Sequence, residues 1–140
     1  MYGLINQAVR DLVKTHHGKD KWAEICRRAG VVDDEFEAMK SYPDSVTYGL
    51  VMAAAQVLGA PAEVVLKAFG QYWVKFTAEE GYGEMLDLFG ADFITCLKNL
   101  NGMHAHMGVM MPGLIPPRFV LEDLGGNRFK LFYYSKREGL

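Results

Sequence analysis

Apolar residues recur at the spacing of an α-helix through the first two-thirds of the chain, to about residue 111. The first apolar stripe predicts a helix that stops at Gly18, because glycine is common just after helix ends. A second short helix is predicted from Asp20, whose carboxylate can cap it, to Ala29. A third is predicted around 35–39. The first stripe consists of Leu4, Ile5, Ala8, Val9, Leu12 and Val13.

Longer helices are predicted in the middle of the chain. One opens at Pro43 and ends at Gly59, and Pro61 suits the first turn of the next, which has a broad apolar face. A turn of helix is predicted over 84–89 and another long helix over 92–108. The pattern therefore predicts that the chain is helical over 1–111.

Beyond a proline-rich segment the apolar period changes from that of a helix to two. The sequence predicts a β-hairpin over 118–137, with the turn at 125–127, where two glycines precede an asparagine. Side chains two residues apart share one face of a strand, so Tyr133, Ser135 and Arg137 are predicted to lie in a row. Helices followed by a hairpin indicate an α+β fold.

Length, charge and cysteine content narrow the class of protein. A chain of 140 residues fits one domain, predicted here over 1–140, and its net charge of −2 gives no basic excess for binding nucleic acid. Cys26 and Cys96 are too far apart in sequence for a paired metal or redox motif, and we interpret them as reduced thiols. The apolar stretch 49–66 is interrupted by polar residues and proline, unlike a membrane helix. We therefore expect a cytoplasmic protein without a membrane segment.

The candidate metal ligands are two histidines on the last predicted helix. His104 and His106 are two residues apart, so on a helix they point to different sides and cannot bind one metal together. His104 shares an apolar stripe with Leu97 and Leu100. From the residues alone, His104 is either a hydrogen-bonded core histidine or a single ligand. The sequence contains no catalytic motif of serine hydrolases, zinc proteases or nucleotide-binding enzymes, so an enzyme is not expected.

The row Tyr133, Ser135 and Arg137 has two interpretations. Two hydroxyls and a guanidinium along one strand can bind carboxylates, since the guanidinium can clasp one through two parallel hydrogen bonds. The alternative is a polar sheet face that meets solvent, because alternation makes such faces common.

The chain resembles the heme nitric oxide/oxygen-binding (H-NOX) domain, which also forms the N-terminus of the β subunit of soluble guanylate cyclase. The resemblance runs through all 140 residues and is carried by the joint order and spacing of several motifs. They are MYGLINQA, SYPDSVTYGLVMAAAQVLGAP, AFGQYWVKFTAEEGYGEML, NLNGMHAHMG, MPGLIPPRF and FYYSKREGL.

The resemblance implies a cofactor, heme b, lying between the helical region and the hairpin. His104 matches the proximal histidine that ligates the heme iron. Tyr133, Ser135 and Arg137 match the motif that holds the heme propionates, and Pro117 matches a proline that presses on the porphyrin and distorts it. Heme needs an apolar slot, a neutral imidazole and donors for its two carboxylates, and the residues can supply all three.

The resemblance also bears on which gas is bound. Ile5 and Trp73 match positions that line the distal pocket, and their apolar character favours nitric oxide, since bound oxygen gains little without a hydrogen-bond donor. Members of the family continue through another helix and more strands, a portion absent from this sequence. In members that hold oxygen stably, a distal tyrosine donor lies there.

The function implied by the resemblance is that of a gas sensor for nitric oxide, with oxygen and carbon monoxide as other ligands. Gas binding would weaken or break the bond from His104 to iron, and a partner would detect the change. Bacterial members often act on a histidine kinase or a cyclic-dinucleotide enzyme. The alternative is a metal-free helical carrier or interaction module for an apolar ligand, which the aromatic and methionine-rich faces would also suit.

Overall fold

The computed structural model describes residues 1–32, 35–79 and 83–137. These residues form six helices followed by an antiparallel β-hairpin, so the predicted α+β class is confirmed. The elements are α1 (Gly3–His17), α2 (Lys19–Ala29), α3 (Asp44–Leu58), α4 (Ala62–Thr77), α5 (Gly83–Leu88), α6 (Phe93–Met110), β1 (Arg118–Asp123) and β2 (Phe129–Tyr134).

The chain divides into two compact units, Met1–Glu79 and Glu80–Leu140. The first unit contains α1 to α4, and the second contains α5, α6 and the hairpin. A single sensor domain over 1–140 stays a prediction.

The core of the first unit forms where the apolar faces of α1, α2 and α3 meet. Leu50 and Ala54 of α3 are fully buried, and Trp22 of α2 is 2% exposed. Small side chains on α3 let its neighbours approach closely, and the large side chains around them fill the space. The cluster consists of Val9, Val13, Trp22, Ile25, Cys26, Phe36, Leu50, Ala53 and Ala54.

None of the helices in the described part of the chain is by itself long and apolar enough to cross a bilayer. α3 and α4 reach that length and composition only as a pair, and they are bent by 112° where they meet.

The predicted helix over 35–39 is wrong, because the carbonyls of this segment bind a neighbouring helix. Residues 35–37 have no regular structure, and Ala38 lies in a turn. First-turn amides of α1 donate to this segment and to the residue after it, from Leu4 to the Ala38 carbonyl at 3.1 Å and from Gly3 to the Lys40 carbonyl at 2.8 Å. The amides at the start of a helix have no partners within the helix. The carbonyls of this segment accept hydrogen bonds from these amides and do not form a helix of their own.

The start of α2 also differs from the prediction. Gly18, and not Asp20, occupies the position before the helix, and α2 begins at Lys19. Gly18 has φ of +87°, a conformation that residues with a side chain rarely adopt. This single glycine therefore separates the end of α1 from the start of α2. Asp20 lies in the first turn, where its negative charge is favourable next to the helix N-terminus.

The hairpin of the second unit has the predicted turn but a shorter second strand. Residues 125–127 all have positive φ, as the two glycines and the asparagine suggested. β2 ends at Tyr134, so Ser135 and Arg137 lie beyond the strand, and the predicted hairpin over 118–137 is too long. The Ser135 hydroxyl oxygen accepts the Arg137 amide at 3.0 Å, and such a local bond competes with strand pairing.

The helix that carries His104 begins at a cap whose strength should depend on pH. The Asp92 carboxylate accepts the Thr95 amide at 2.9 Å and the Thr95 hydroxyl at 2.6 Å. The hydrogen bonds from the Thr95 side chain and backbone lower the pKa of Asp92 in the folded protein. A carboxyl with a lowered folded pKa stabilises the protein above its unfolded pKa, and this contribution is lost as the pH falls through the folded pKa.

We therefore expect Asp92→Ala to lower the melting temperature at neutral pH, and the deficit to shrink as the pH approaches about 3. Asp92→Asn is the control, because it keeps an acceptor for the Thr95 amide but cannot titrate. Thermal unfolding across this pH range checks the prediction. A deficit that stays constant with pH would show that the carboxylate charge contributes nothing to the cap.

Candidate functional site

The second unit holds a partly buried imidazole on α6. The Nδ1 atom of His104 is buried and has no hydrogen-bond partner among the described residues. Burial lowers the pKa of His104, so the imidazole is neutral at neutral pH and keeps a lone pair for a ligand. His106 is exposed, and its ring lies 6.3 Å from that of Phe89. The two histidines therefore point to different surroundings, as their spacing predicted.

Aromatic rings connect His104 to both strands of the hairpin. The ring centroids of His104 and Phe119 are 5.8 Å apart with 29° between their planes, a stacked arrangement. Phe119 in turn meets Tyr133 edge to face at 5.4 Å. Phe119 and Tyr133 face each other across the β1–β2 ladder. The His104 ring is thus connected to β2 through a chain of two aromatic contacts.

The predicted row of donors is only partly formed. Tyr133 lies on β2 and is 48% exposed, whereas Ser135 and Arg137 follow the end of the strand. The Arg137 guanidinium donates from Nη1 to the Ile115 carbonyl at 2.5 Å. Pro117, which is half-buried, lies two residues after Ile115. The structure therefore brings Arg137 to the proline-containing segment that precedes β1.

Sequence reasoning missed a contact between α6 and β1. The Asn101 side chain donates from Nδ2 to the Phe119 carbonyl at 2.7 Å, and its Oδ1 accepts the Phe119 amide at 2.9 Å. Asparagine is unfavourable inside a helix because its side chain competes for backbone hydrogen bonds. The signal available in the sequence was Asn101 itself, an asparagine inside a predicted helix and one turn before the candidate ligand His104.

The two predicted gas-pocket residues lie in the first unit. Ile5 is a half-buried residue of α1. Trp73 of α4 lies in a row of aromatic rings, 5.7 Å from Phe69 and 6.0 Å from Phe76. The row supports the prediction of a broad apolar face on this helix. The role of Ile5 and Trp73 toward a gas stays a prediction.

A comparison with protein families gives one match that extends over residues 2–140, to the family described as Haem-NO-binding. The chain belongs to the Haem-NO-binding family. Members of this family bind heme and act as heme-based gas sensors in guanylate cyclases, so the resemblance and the cofactor predicted from the sequence are confirmed.

The relatives of this Haem-NO-binding chain include soluble guanylate cyclases. It is 30% identical over 139 residues to soluble guanylate cyclase gcy-31 and 33% identical over 143 residues to gcy-35, both from Caenorhabditis elegans. The alignments cover 99% and 100% of this chain but only 20% and 21% of the two cyclases. The chain spans about a fifth of these relatives, so the cyclase activity in their names is not carried over to it.

Solved structures of H-NOX proteins have the same fold. An H-NOX protein from S. oneidensis in the Fe(II) ligation state matches with a TM-score of 0.88 and 26% identity. The match covers 97% of this chain and 73% of the other. A structure in the Fe(II)NO ligation state matches with a TM-score of 0.86 and the same identity, covering 97% and 75%.

The residues of this Haem-NO-binding chain fit a heme better than a bare metal ion. In the described part of the chain, no three His, Cys, Asp or Glu residues come close enough to hold a metal. A heme iron needs only one protein ligand besides the porphyrin nitrogens. The neutral, partly buried imidazole of His104 suits that role, and the donors of Tyr133 and Arg137 suit propionates.

A separate apolar cleft lies between the first turns of α6 and the hairpin. Its volume is about 590 Å³, within the range of small-molecule sites. No residue predicted to bind heme lines it, so it is not part of the candidate site. Its lining consists of Phe93, Ile94, Leu97, Leu121, Asn127, Phe129 and Leu131.

Proposed function

We propose that this chain senses nitric oxide through a heme whose iron is bound by His104. The observation that carries the proposal is the buried Nδ1 atom of His104, which lacks a partner among the described residues. A core histidine kept for its hydrogen bonds would normally have a partner at this atom, so the ring does not fit that alternative. In a family that binds heme, the neutral imidazole is available as the iron ligand.

We propose that the polar end of the hairpin holds the heme propionates. Tyr133 and Ser135 offer hydroxyl donors, and Arg137 offers a cation. A guanidinium has five N–H donors, so the bond from Nη1 to the Ile115 carbonyl is compatible with binding a carboxylate as well. Arg137 would then also position the segment of Pro117, the residue proposed to press on the porphyrin.

We propose that the bound gas faces apolar side chains, those of Ile5 and Trp73. A bound heme would supply an iron that binds a diatomic gas. Where no hydrogen-bond donor is directed at the gas, oxygen is held weakly, and nitric oxide is favoured. Carbon monoxide is expected to bind without displacing the histidine.

We propose that the signal begins when His104 leaves the iron. Nitric oxide binding would release the His104 imidazole from the iron, and α6, which carries His104, would then be free to shift its packing. A cytoplasmic signalling protein, such as a histidine kinase or a cyclic-dinucleotide enzyme, would detect this shift.

The proposal predicts a specific response of the ferrous protein reconstituted with hemin. Nitric oxide should shift the Soret band to that of a complex without histidine, carbon monoxide should give a complex that keeps histidine, and air should give no stable oxygen complex. The measurement is the absorption spectrum under each gas, with an iron assay on the same sample. A stable oxygen complex would contradict the selectivity. Protein that binds no hemin would favour the metal-free carrier.

A further inference from the structure

One asparagine side chain connects the helix of His104 to the outer edge of the hairpin. Asn101 makes two hydrogen bonds to a single residue, one to the Phe119 amide and one to the Phe119 carbonyl. An amide group is the side chain that can both donate and accept in this way, and the two bonds together fix which end is oxygen. The contact is therefore specific for asparagine and not for its isosteric acid.

The backbone N–H and C=O groups of Phe119 point toward Asn101 because of the position of Phe119 in the β1–β2 pairing. In an antiparallel pair, alternate residues turn their N–H and C=O groups away from the partner strand. Phe119, paired with Tyr133, turns these groups toward α6, where Asn101 occupies the position of a third strand. The amide thus covers an otherwise open edge of β1.

Phe119 is also the residue whose ring stacks on the candidate ligand. Its side chain lies against the His104 ring, while its backbone is held by Asn101, one helical turn earlier on α6. Two contacts three residues apart on one helix therefore converge on one residue of β1. A shift of α6 that carries His104 away from β1 would strain or open the Asn101 bonds.

We propose that Asn101 is a positioning residue that holds the His104 ring at its working angle by fastening α6 to β1 at Phe119. The inference rests on the proposed function, since it assumes that His104 binds iron. Loss of this fastening should weaken the hold of His104 on iron and speed its release when nitric oxide binds.

The test compares three variants of the full chain reconstituted with hemin. Asn101→Ala removes both bonds, and Asn101→Asp keeps the acceptor for the Phe119 amide but loses the donor. Asn99→Ala is the matched control, because it removes a similar bond on the same helix, from Asn99 to the Phe89 carbonyl at 2.8 Å. Three measurements are made: amide exchange at Phe119, the iron–imidazole vibration of the ferrous protein, and the rate of histidine loss after mixing with nitric oxide.

In Asn101→Ala we expect Phe119 exchange to rise about tenfold, the vibration to shift, and histidine loss to speed up by about threefold to tenfold. Asn101→Asp should keep slow exchange and show an intermediate rate, and Asn99→Ala should match the wild type. If Asn101→Ala does not fold, Asn101→Asp decides, and a rate equal to that of the wild type would overturn the inference.

Two other outcomes separate the inference from the proposed function. If Asn101→Ala and Asn99→Ala have the same vibration and the same rate, Asn101 has only a structural role and the inference fails. If the wild type keeps histidine on iron under nitric oxide, the proposed function fails. The inference is then judged on Phe119 exchange and the iron–imidazole vibration without gas, both of which must change in Asn101→Ala.

Discussion

Replacing His104 by glycine is expected to remove the histidine-ligated spectrum of the ferrous heme protein, and added imidazole is expected to restore it. The side chain supplies the single protein ligand in this account, and its removal leaves a space on α6 where a free imidazole can bind. Covalent attachment to the protein gives a ligand a large effective concentration, so restoration should need imidazole at millimolar levels or above. Absorption spectra during an imidazole titration check the result.

The matched control for this experiment is His106→Gly. His106 lies two residues further along α6 and is exposed, so its removal changes the helix propensity in the same way without touching the candidate ligand. We expect the His106 variant to keep the wild-type spectrum. A His104→Gly protein with an unchanged spectrum, or a His106→Gly protein that loses histidine ligation, would remove His104 from the proposed role.

Replacing Arg137 by alanine is expected to weaken heme binding about tenfold to hundredfold, since hydrogen bonds to charged groups contribute roughly 1.5–3 kcal/mol. Arg137→Lys should fall between alanine and the wild type, because lysine keeps the charge but cannot make two parallel bonds to a carboxylate. Transfer of heme to an excess of an apo-acceptor protein measures the change. Lys136→Ala, which removes an exposed neighbouring cation, is the control.

Arg137 also donates a hydrogen bond to the Ile115 carbonyl, so replacing it can lower the stability of the folded protein independently of any contact with heme. Thermal unfolding of the heme-free variants separates the two effects. A role toward heme requires heme affinity to fall much further in Arg137→Ala than in Lys136→Ala, at comparable heme-free stability. Equal heme affinity in the two variants would contradict the role, because both remove one positive charge from the same segment.

The helical part of the fold could be predicted because helix positions depend mainly on residues that are close in sequence. Apolar positions at helical spacing, together with Gly18 and Gly59 after helix ends, located α1, α3 and α4 closely. The segment 35–39 could not be predicted in this way. Its carbonyls bind the first-turn amides of α1, and such a requirement arises only once distant parts of the chain meet.

The candidate site was predicted by family resemblance more than by pattern. Alternation suggested that Ser135 and Arg137 continue the strand, but the Ser135 hydroxyl binds the Arg137 amide and the strand ends before them. The hydrogen bonds of Asn101 join residues that are 18 positions apart and depend on the register of β1 against α6. No periodic pattern encodes such a pairing, so the structure was needed to find it.

The central claim is that the His104 imidazole binds iron, and the iron–imidazole vibration of the ferrous protein tests it most directly. Resonance Raman spectra are recorded from protein labelled with ¹⁵N at histidine, from unlabelled protein and from His104→Gly. The account predicts a low-frequency band that shifts on labelling, is absent in His104→Gly and persists in His106→Gly. A band that does not move with the label, or one that survives in His104→Gly, would contradict the account.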